Sequence, residues 1–108
     1  MIVQEAPDIL KWLSENWDLT IEWDSGNIEK LKKHDFVVSD IEEAVSGNVV
    51  FGGEILGEFS EKRFILFSKL IDGRYITIVW TIRKTKFRPI SCRRSRDNEK
   101  KFYEKNIQ

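Results

Sequence analysis

The sequence predicts an α+β fold, a single antiparallel sheet of four to five strands with helices packed against it. Three observations carry this reading. The first 46 residues read as helix, short strand, helix and helix, and from Asn48 onward the period changes to that of strands. Asp72-Gly73 is a two-residue hairpin signal between two β-rich runs, 63–70 and 74–82. The closing segment, 96–106, reads as a helix with Phe102 and Tyr103 turned to the protein.

The elements follow in order. Pro7 suits the first position of a helix over 7–16, with Asp8 at the positive end of its dipole. Ile9, Leu10, Leu13 and Trp17 form one apolar stripe, expected to pack onto the domain through Ile9, Leu13 and Trp17 or, alternatively, to form a dimer contact. Residues 19–23 alternate as a short strand with Leu19, Ile21 and Trp23 on one side. Asp24 or Ser25 caps a polar helix over 26–34, with Asp35 where Gly or Asn is the more usual stop. Ser39 to Glu42 has the capping-box pattern, which predicts a helix over 40–46 ended by Gly47. The Gly-broken run 48–59 contains one strand and a loop or bulge. Residues 63–70 are apolar on both faces, as a central strand should be. In 74–82, Ile76, Ile78, Trp80 and Ile82 face one way and Tyr75, Thr77, Val79 and Thr81 the other. Trp23 and Trp80 are both expected to be largely buried. After Lys84-Thr85-Lys86 turns the chain, 87–93 is a last strand, and Pro89 within it marks an edge or a bulge. Ser95 is positioned to cap the final helix.

Composition narrows the class. With 41% apolar and 33% charged residues the 108-residue chain has a globular balance. No apolar run approaches the ~20 residues needed to cross a bilayer, so no membrane association is expected. The first residues lack the basic and apolar regions of a secretory leader, and Cys92 has no second cysteine to pair with. Both predict a cytoplasmic protein. The net charge of zero conceals an asymmetry: residues 1–62 carry 14 acids and 5 bases, whereas residues 83–108 carry 10 bases and 3 acids. Such opposition suggests a basic surface for an anionic partner, although solvated faces would look the same in sequence.

No phosphate-binding loop, paired CxxC, HExxH or GxSxG occurs. One His and one Cys cannot build a zinc site, so neither metal nor cofactor is expected. What remains is basic. Lys33-His34 ends the second helix, Arg83 leaves the clearest strand, Arg93-Arg94 leaves the last one, and Arg96 opens the final helix. Guanidinium groups at strand ends can bind a phosphate bidentately and offset charge growing on it. His34 is suited to proton transfer near neutral pH. Cys92, in a strand-like run, reads as packing rather than as a nucleophile.

Several short runs, in order, resemble the BrnT family of type II toxin–antitoxin ribonucleases. They are Ile21-Glu22-Trp23-Asp24, then Asn27, then Lys32-Lys33-His34. They continue with Ile41-Glu42-Glu43-Ala44, Glu61-Lys62-Arg63-Phe64 and Gly73-Arg74. The last are Val79-Trp80-Thr81-Ile82-Arg83, Arg88-Pro89-Ile90-Ser91-Cys92-Arg93-Arg94, and Glu99 with Tyr103. Asp35 departs from the glycine usual after Lys-His, and residues 1–18 fall outside the pattern. The resemblance implies a RelE-like toxin domain over 19–108, preceded by a helical extension over 1–18. It implies metal-independent RNA cleavage that inhibits translation, and a cognate antitoxin carrying a ribbon-helix-helix DNA-binding domain. DNA would be contacted only through that antitoxin. Carried over by position, the functional candidates are Lys33, His34, Arg63, Arg83, Arg93 and Arg94, whose roles the resemblance does not settle. From their places at a helix end and at strand ends, Lys33, His34, Arg83 and Arg93 are the candidate catalytic residues, expected to converge in one basic groove. Arg63, Arg94, Arg96 and Lys86 are the candidate RNA contacts. A rival reading is a catalytically inactive RelE-like module that partners a DNA-binding repressor.

Overall fold

The computed structural model describes residues 3–16 and 20–107. In chain order the elements are β1 (Val3–Gln4), α1 (Pro7–Glu15), α2 (Ser25–Lys32), α3 (Val38–Ser46), β2 (Val50–Ile55), β3 (Arg63–Lys69), β4 (Tyr75–Arg83), β5 (Lys86–Arg94) and α4 (Asp97–Asn106). The strands form one antiparallel five-stranded sheet in the order β1-β2-β3-β4-β5. The α+β class read from the sequence is therefore the observed one. The Asp72-Gly73 hairpin joins β3 to β4, with Gly73 at φ 97° and Asp72 accepting from the Arg74 N–H.

Alternation along the strands gives the sheet two distinct faces. One carries Phe64, Leu66, Ile76, Ile78, Trp80, Phe87 and Cys92, and packs against Leu13 of α1, Leu31 of α2 and Ile41 and Ala44 of α3. Trp80 is at its centre, fully buried and stacked on Phe87 at 4.7 Å, with Phe64 at 5.0 Å and Trp12 at 6.3 Å. The other face carries Val50, Ile55, Ile65 and Phe67, and packs against Tyr103 of α4. That helix covers one end of this face, where Tyr75 and Thr77 lie, and leaves the opposite end open.

Cys92 is buried in the first core, and burial together with the nearby Asp40 charge pushes its thiol up to about 12. It is a packing residue there, inert as a nucleophile at neutral pH.

Several local expectations need correction. The described part of the strand expected at 19–23, residues 20–23, contributes only a single parallel bridge, Ile21 to Phe87, with the Asp24 cap of α2 immediately after it. Leu19 and Trp17 lie outside the described residues. Trp23 is only part-buried at the core margin. The capping pattern at Ser39 is displaced: α3 begins at Val38, and Asp40 accepts from the Val37 N–H at 3.0 Å. Ser95 does not cap α4 through its side chain; its hydroxyl meets Thr77 at 2.8 Å while Glu99 accepts from the Arg96 N–H. In both helices an acid in the first turn satisfies the free N–H, and Ser95 is thereby released to meet Thr77.

Other local signals hold. Asp35 takes φ 61° and closes α2, with Phe36 N–H returning to Leu31 and Asp35 N–H to Lys32. Pro89 sits in the last strand of the sheet order, beside a register shift opposite Val79 and Trp80, so it marks both an edge and a bulge. β1 has no pattern in the sequence because two residues pairing through backbone leave none. Gly53 permits it: at φ 113°, a Cβ there would stand 2.4 Å from the Gln4 carbonyl oxygen.

Candidate functional site

The uncovered end of the second face is where basic residues gather. Arg63 is the first residue of β3 and Arg83 the last of β4, so antiparallel pairing places them at the same end of the sheet. A two-residue turn, Lys84-Thr85, then feeds β5, which puts Arg88 beside Thr81 on the same face. Both turn residues have positive φ, 51° and 62°, the twist a tight hairpin demands although neither is Gly or Asn. The first turn of α2 closes the site. Asn27, buried, donates to the Glu22 carbonyl at 2.9 Å and to the Pro89 carbonyl at 3.0 Å, pinning the helix start to β5. The result is an open recess of about 200 Å³ lined by Gly26, Asn27, Lys30, Glu61, Arg63, Arg83, Arg88 and Ile90.

The cations in this recess are not equivalent. Arg88 is nearly buried and is held by Glu22 at 2.9 Å and Asp24 at 2.8 Å. Hydrogen bonding to Arg88 keeps the Asp24 carboxyl below its usual range. Arg83 is more exposed and reaches Glu61 at 3.1 Å and Glu22 at 3.7 Å. Arg63 makes no ion pair among the described residues; its guanidinium lies 4.6 Å from the centre of the Phe59 ring, and its buried Nε has no hydrogen-bond partner there. Among the arginines of the recess, its donors are thus the least committed; Lys30, which also lines it, has no ion pair among the described residues either. A preorganised guanidinium of this kind can receive a phosphate without first breaking a salt bridge.

The other sequence candidates lie elsewhere. Lys86 is on the same rim, opposite Arg83 in the ladder. Lys33 and His34 are exposed at the far end of α2, ~10 Å along its axis from Asn27. There Arg74 binds the Asp35 carbonyl and Asp40, locking the connection between α2 and α3. Arg93 pairs with Thr77, six residues along β4 from Arg83, which is ~20 Å at the usual rise per residue. Arg94 and Arg96 are at that distant end too. The structure therefore does not bring Lys33, His34, Arg83 and Arg93 into one groove. The residues that sequence reasoning left out are Arg88, Lys30, Asn27, Glu22 and Glu61. Only register, hydrogen bonding and ion pairing reveal them as site residues, although Glu22, Asn27, Glu61 and Arg88 all stand in the runs that resemble the family.

Arg93 has a partner of its own. It donates twice to Glu99, once at 2.8 Å, and Glu99 also accepts from the Arg96 N–H at 2.7 Å and from Thr77. Burial would raise the Glu99 pKa, but these donors outweigh it and hold the carboxyl below its usual value of 4.5. A depressed carboxyl stabilises the fold above its unfolded-state pKa, and that contribution fades as pH falls through the lowered one. Unfolding free energy measured by urea titration should therefore drop below about pH 4.5, and Glu99→Gln should flatten that drop. At neutral pH the substitution should cost less than the ~3–5 kcal/mol of a fully buried pair, because the Arg93 side chain is 24% exposed. An unchanged acid profile in Glu99→Gln would mean that other carboxyls dominate.

Comparison with known proteins bears on the same residues. Residues 23–99 match the family model described as the ribonuclease toxin BrnT of a type II toxin–antitoxin system. The chain belongs to the BrnT family. The match spans α2 through the first turn of α4 and so contains every residue that lines the arginine recess. No curated protein and no solved structure shows significant similarity to the chain. BrnT membership makes this chain a relative of ribonuclease toxins of type II toxin–antitoxin systems. Among the described residues, no helix is long and apolar enough to cross a membrane.

Proposed function

We propose that this BrnT-family chain is a RelE-like, metal-independent endoribonuclease that acts in the cytoplasm, inhibits translation and is neutralised by a cognate antitoxin. The observation that carries the reading is the recess in which Arg63, Arg83, Arg88 and Lys30 meet, with Arg63 free of carboxylate partners among the described residues.

The chemistry follows from the groups available. The RNA 2′-oxygen bonds to the adjacent phosphorus and the bond from phosphorus to the 5′-oxygen breaks. A 2′,3′-cyclic phosphate and a free 5′-hydroxyl result, and DNA, which lacks the 2′-hydroxyl, is spared. Arg63 and Arg83 hold the phosphate and offset the charge that builds on it. Glu61, hydrogen-bonded to Arg83, accepts the 2′-hydroxyl proton, and Lys30 supplies a proton at the leaving oxygen. Lys33, His34, Arg93, Arg94, Arg96 and Lys86 attract the RNA backbone in this reading rather than moving protons. The toxin domain spans 19–108 with 1–18 as an extension, which is supported by the family match beginning at residue 23. The antitoxin is of the ribbon-helix-helix type, so DNA is met only through it, and its acidic residues compete with RNA for the arginines.

Purified chain incubated with RNA, with and without EDTA, tests this. Cleavage resistant to chelation, with cyclic phosphate ends and no cutting of the matching DNA, is the expected result. The absence of any cleavage would favour the inactive module that partners a repressor. One observation speaks for that rival: Arg83, Arg88 and Arg93 are already engaged by carboxylates.

A further inference from the structure

The loop between β2 and β3 carries an aromatic ring that neither core uses. Phe59 is 41% exposed and belongs to neither hydrophobic cluster. It is nonetheless held in place. Arg63 lies over the ring at 4.6 Å, and a Cβ at Gly57 would come within 2.7 Å of the ring edge, so the glycine lets the ring rest against the chain. Phe59 lines a second recess of about 300 Å³ together with Glu54, Gly57, Ser60 and Lys62. Glu61 lines both this recess and the arginine recess, so the two adjoin.

We propose that Phe59 is a nucleobase platform: it stacks a splayed-out base of single-stranded RNA whose neighbouring phosphate is held by Arg63. This rests on the phosphate-binding reading of the arginine recess. An exposed aromatic beside a cation is the arrangement by which unpaired bases are bound, since every base has a π-face. The ring already rests against Arg63 and beside Gly57, which lowers the side-chain freedom that stacking costs. Glu54, Ser60 and Lys62 supply donors and acceptors around the ring, where a base presents its polar edge. The consequence is a preference for single strands over duplexes, whose bases are stacked on one another.

The test uses the full chain and a dye-labelled single-stranded RNA oligonucleotide that is 2′-O-methylated throughout and so cannot be cut. Binding is read by fluorescence anisotropy. Phe59→Ala should weaken binding roughly ten- to hundredfold, Phe59→Leu should behave like alanine, and Phe59→Trp should restore wild-type affinity. An RNA duplex should bind more weakly than the single strand and be indifferent to all three substitutions. Melting curves identify any variant that fails to fold, and Phe59→Leu, which keeps the apolar bulk, is the variant to judge by in that event. A leucine variant that binds as the wild type does overturns the platform, as does a wild type that binds no single strand. So does a substitution that weakens only antitoxin binding. Binding through Phe59 by a chain that cuts no RNA would keep the platform and remove the ribonuclease reading. Cleavage with wild-type KM in Phe59→Leu would do the reverse.

Discussion

Arg63→Ala should lower the rate of RNA cleavage by ~10²–10³-fold, the loss typical of removing one preorganised charge-stabilising donor. The argument rests on commitment. Arg83 and Arg88 are shared with Glu22, Asp24 and Glu61, whereas Arg63 has no such carboxylate among the described residues. A phosphate arriving in the recess therefore meets Arg63 donors that need not be released first. The loss should fall mainly on kcat, because the charge on the phosphate grows on the way to the transition state. Arg63→Lys should recover only part of it, since a point charge lacks the bidentate fork. Stability should change by no more than about 1 kcal/mol, as Arg63 sits at a strand end rather than in the core. Steady-state cleavage of a defined oligonucleotide, paired with a urea melt of each variant, checks both halves. Near-normal turnover in a folded Arg63→Ala would shift the phosphate site to Arg83 and remove the basis for the base platform beside it.

Trp80→Ala should cost ~3–5 kcal/mol of folding free energy, the usual range for emptying a large aromatic site. Against a domain stability of ~5–15 kcal/mol, that is enough to leave the chain largely unfolded or close to it. Trp80 is fully buried and touches rings from three strands and from α1, so its removal opens a void where Phe64, Phe87, Phe51 and Trp12 converge. Trp80→Phe should be far milder. The indole Nε1 is buried with no hydrogen-bond partner among the described residues, so phenylalanine removes an unsatisfied donor along with part of the volume. Equilibrium urea unfolding of the two variants measures the difference. A Trp80→Ala variant within about 1 kcal/mol of wild type would mean that the aromatic cluster collapses around the vacancy without loss.

Much of this fold is local in origin and was legible for that reason. The alternation in 74–82, the Asp72-Gly73 turn, the Asp24 cap of α2, the Gly47 stop of α3 and the Pro89 mark on β5 each depend on residues adjacent in the chain. Where the reading slipped, a rival local partner won. The first-turn acids Asp40 and Glu99 took the capping role assigned to Ser39 and Ser95. Of the strand expected at 19–23, the described residues 20–23 make one bridge, and α2 begins at once after them.

The sequence alone determined that the chain is α+β, that its second half is basic, and that arginines leave the strands of one sheet. Only tertiary structure decided which arginines meet. Antiparallel pairing brings the first residue of β3 to the last of β4, and the two-residue turn adds Arg88. The same register carries Arg93 ~20 Å away, onto Glu99. Which cations stay available was also decided there. Glu22, Asp24 and Glu61 come from distant parts of the chain to occupy Arg83 and Arg88, while Phe59 covers Arg63 without neutralising it. Periodicity and propensity act over a few residues and can be read in order, but register and ion pairing are settled only when the whole sheet has closed over its core.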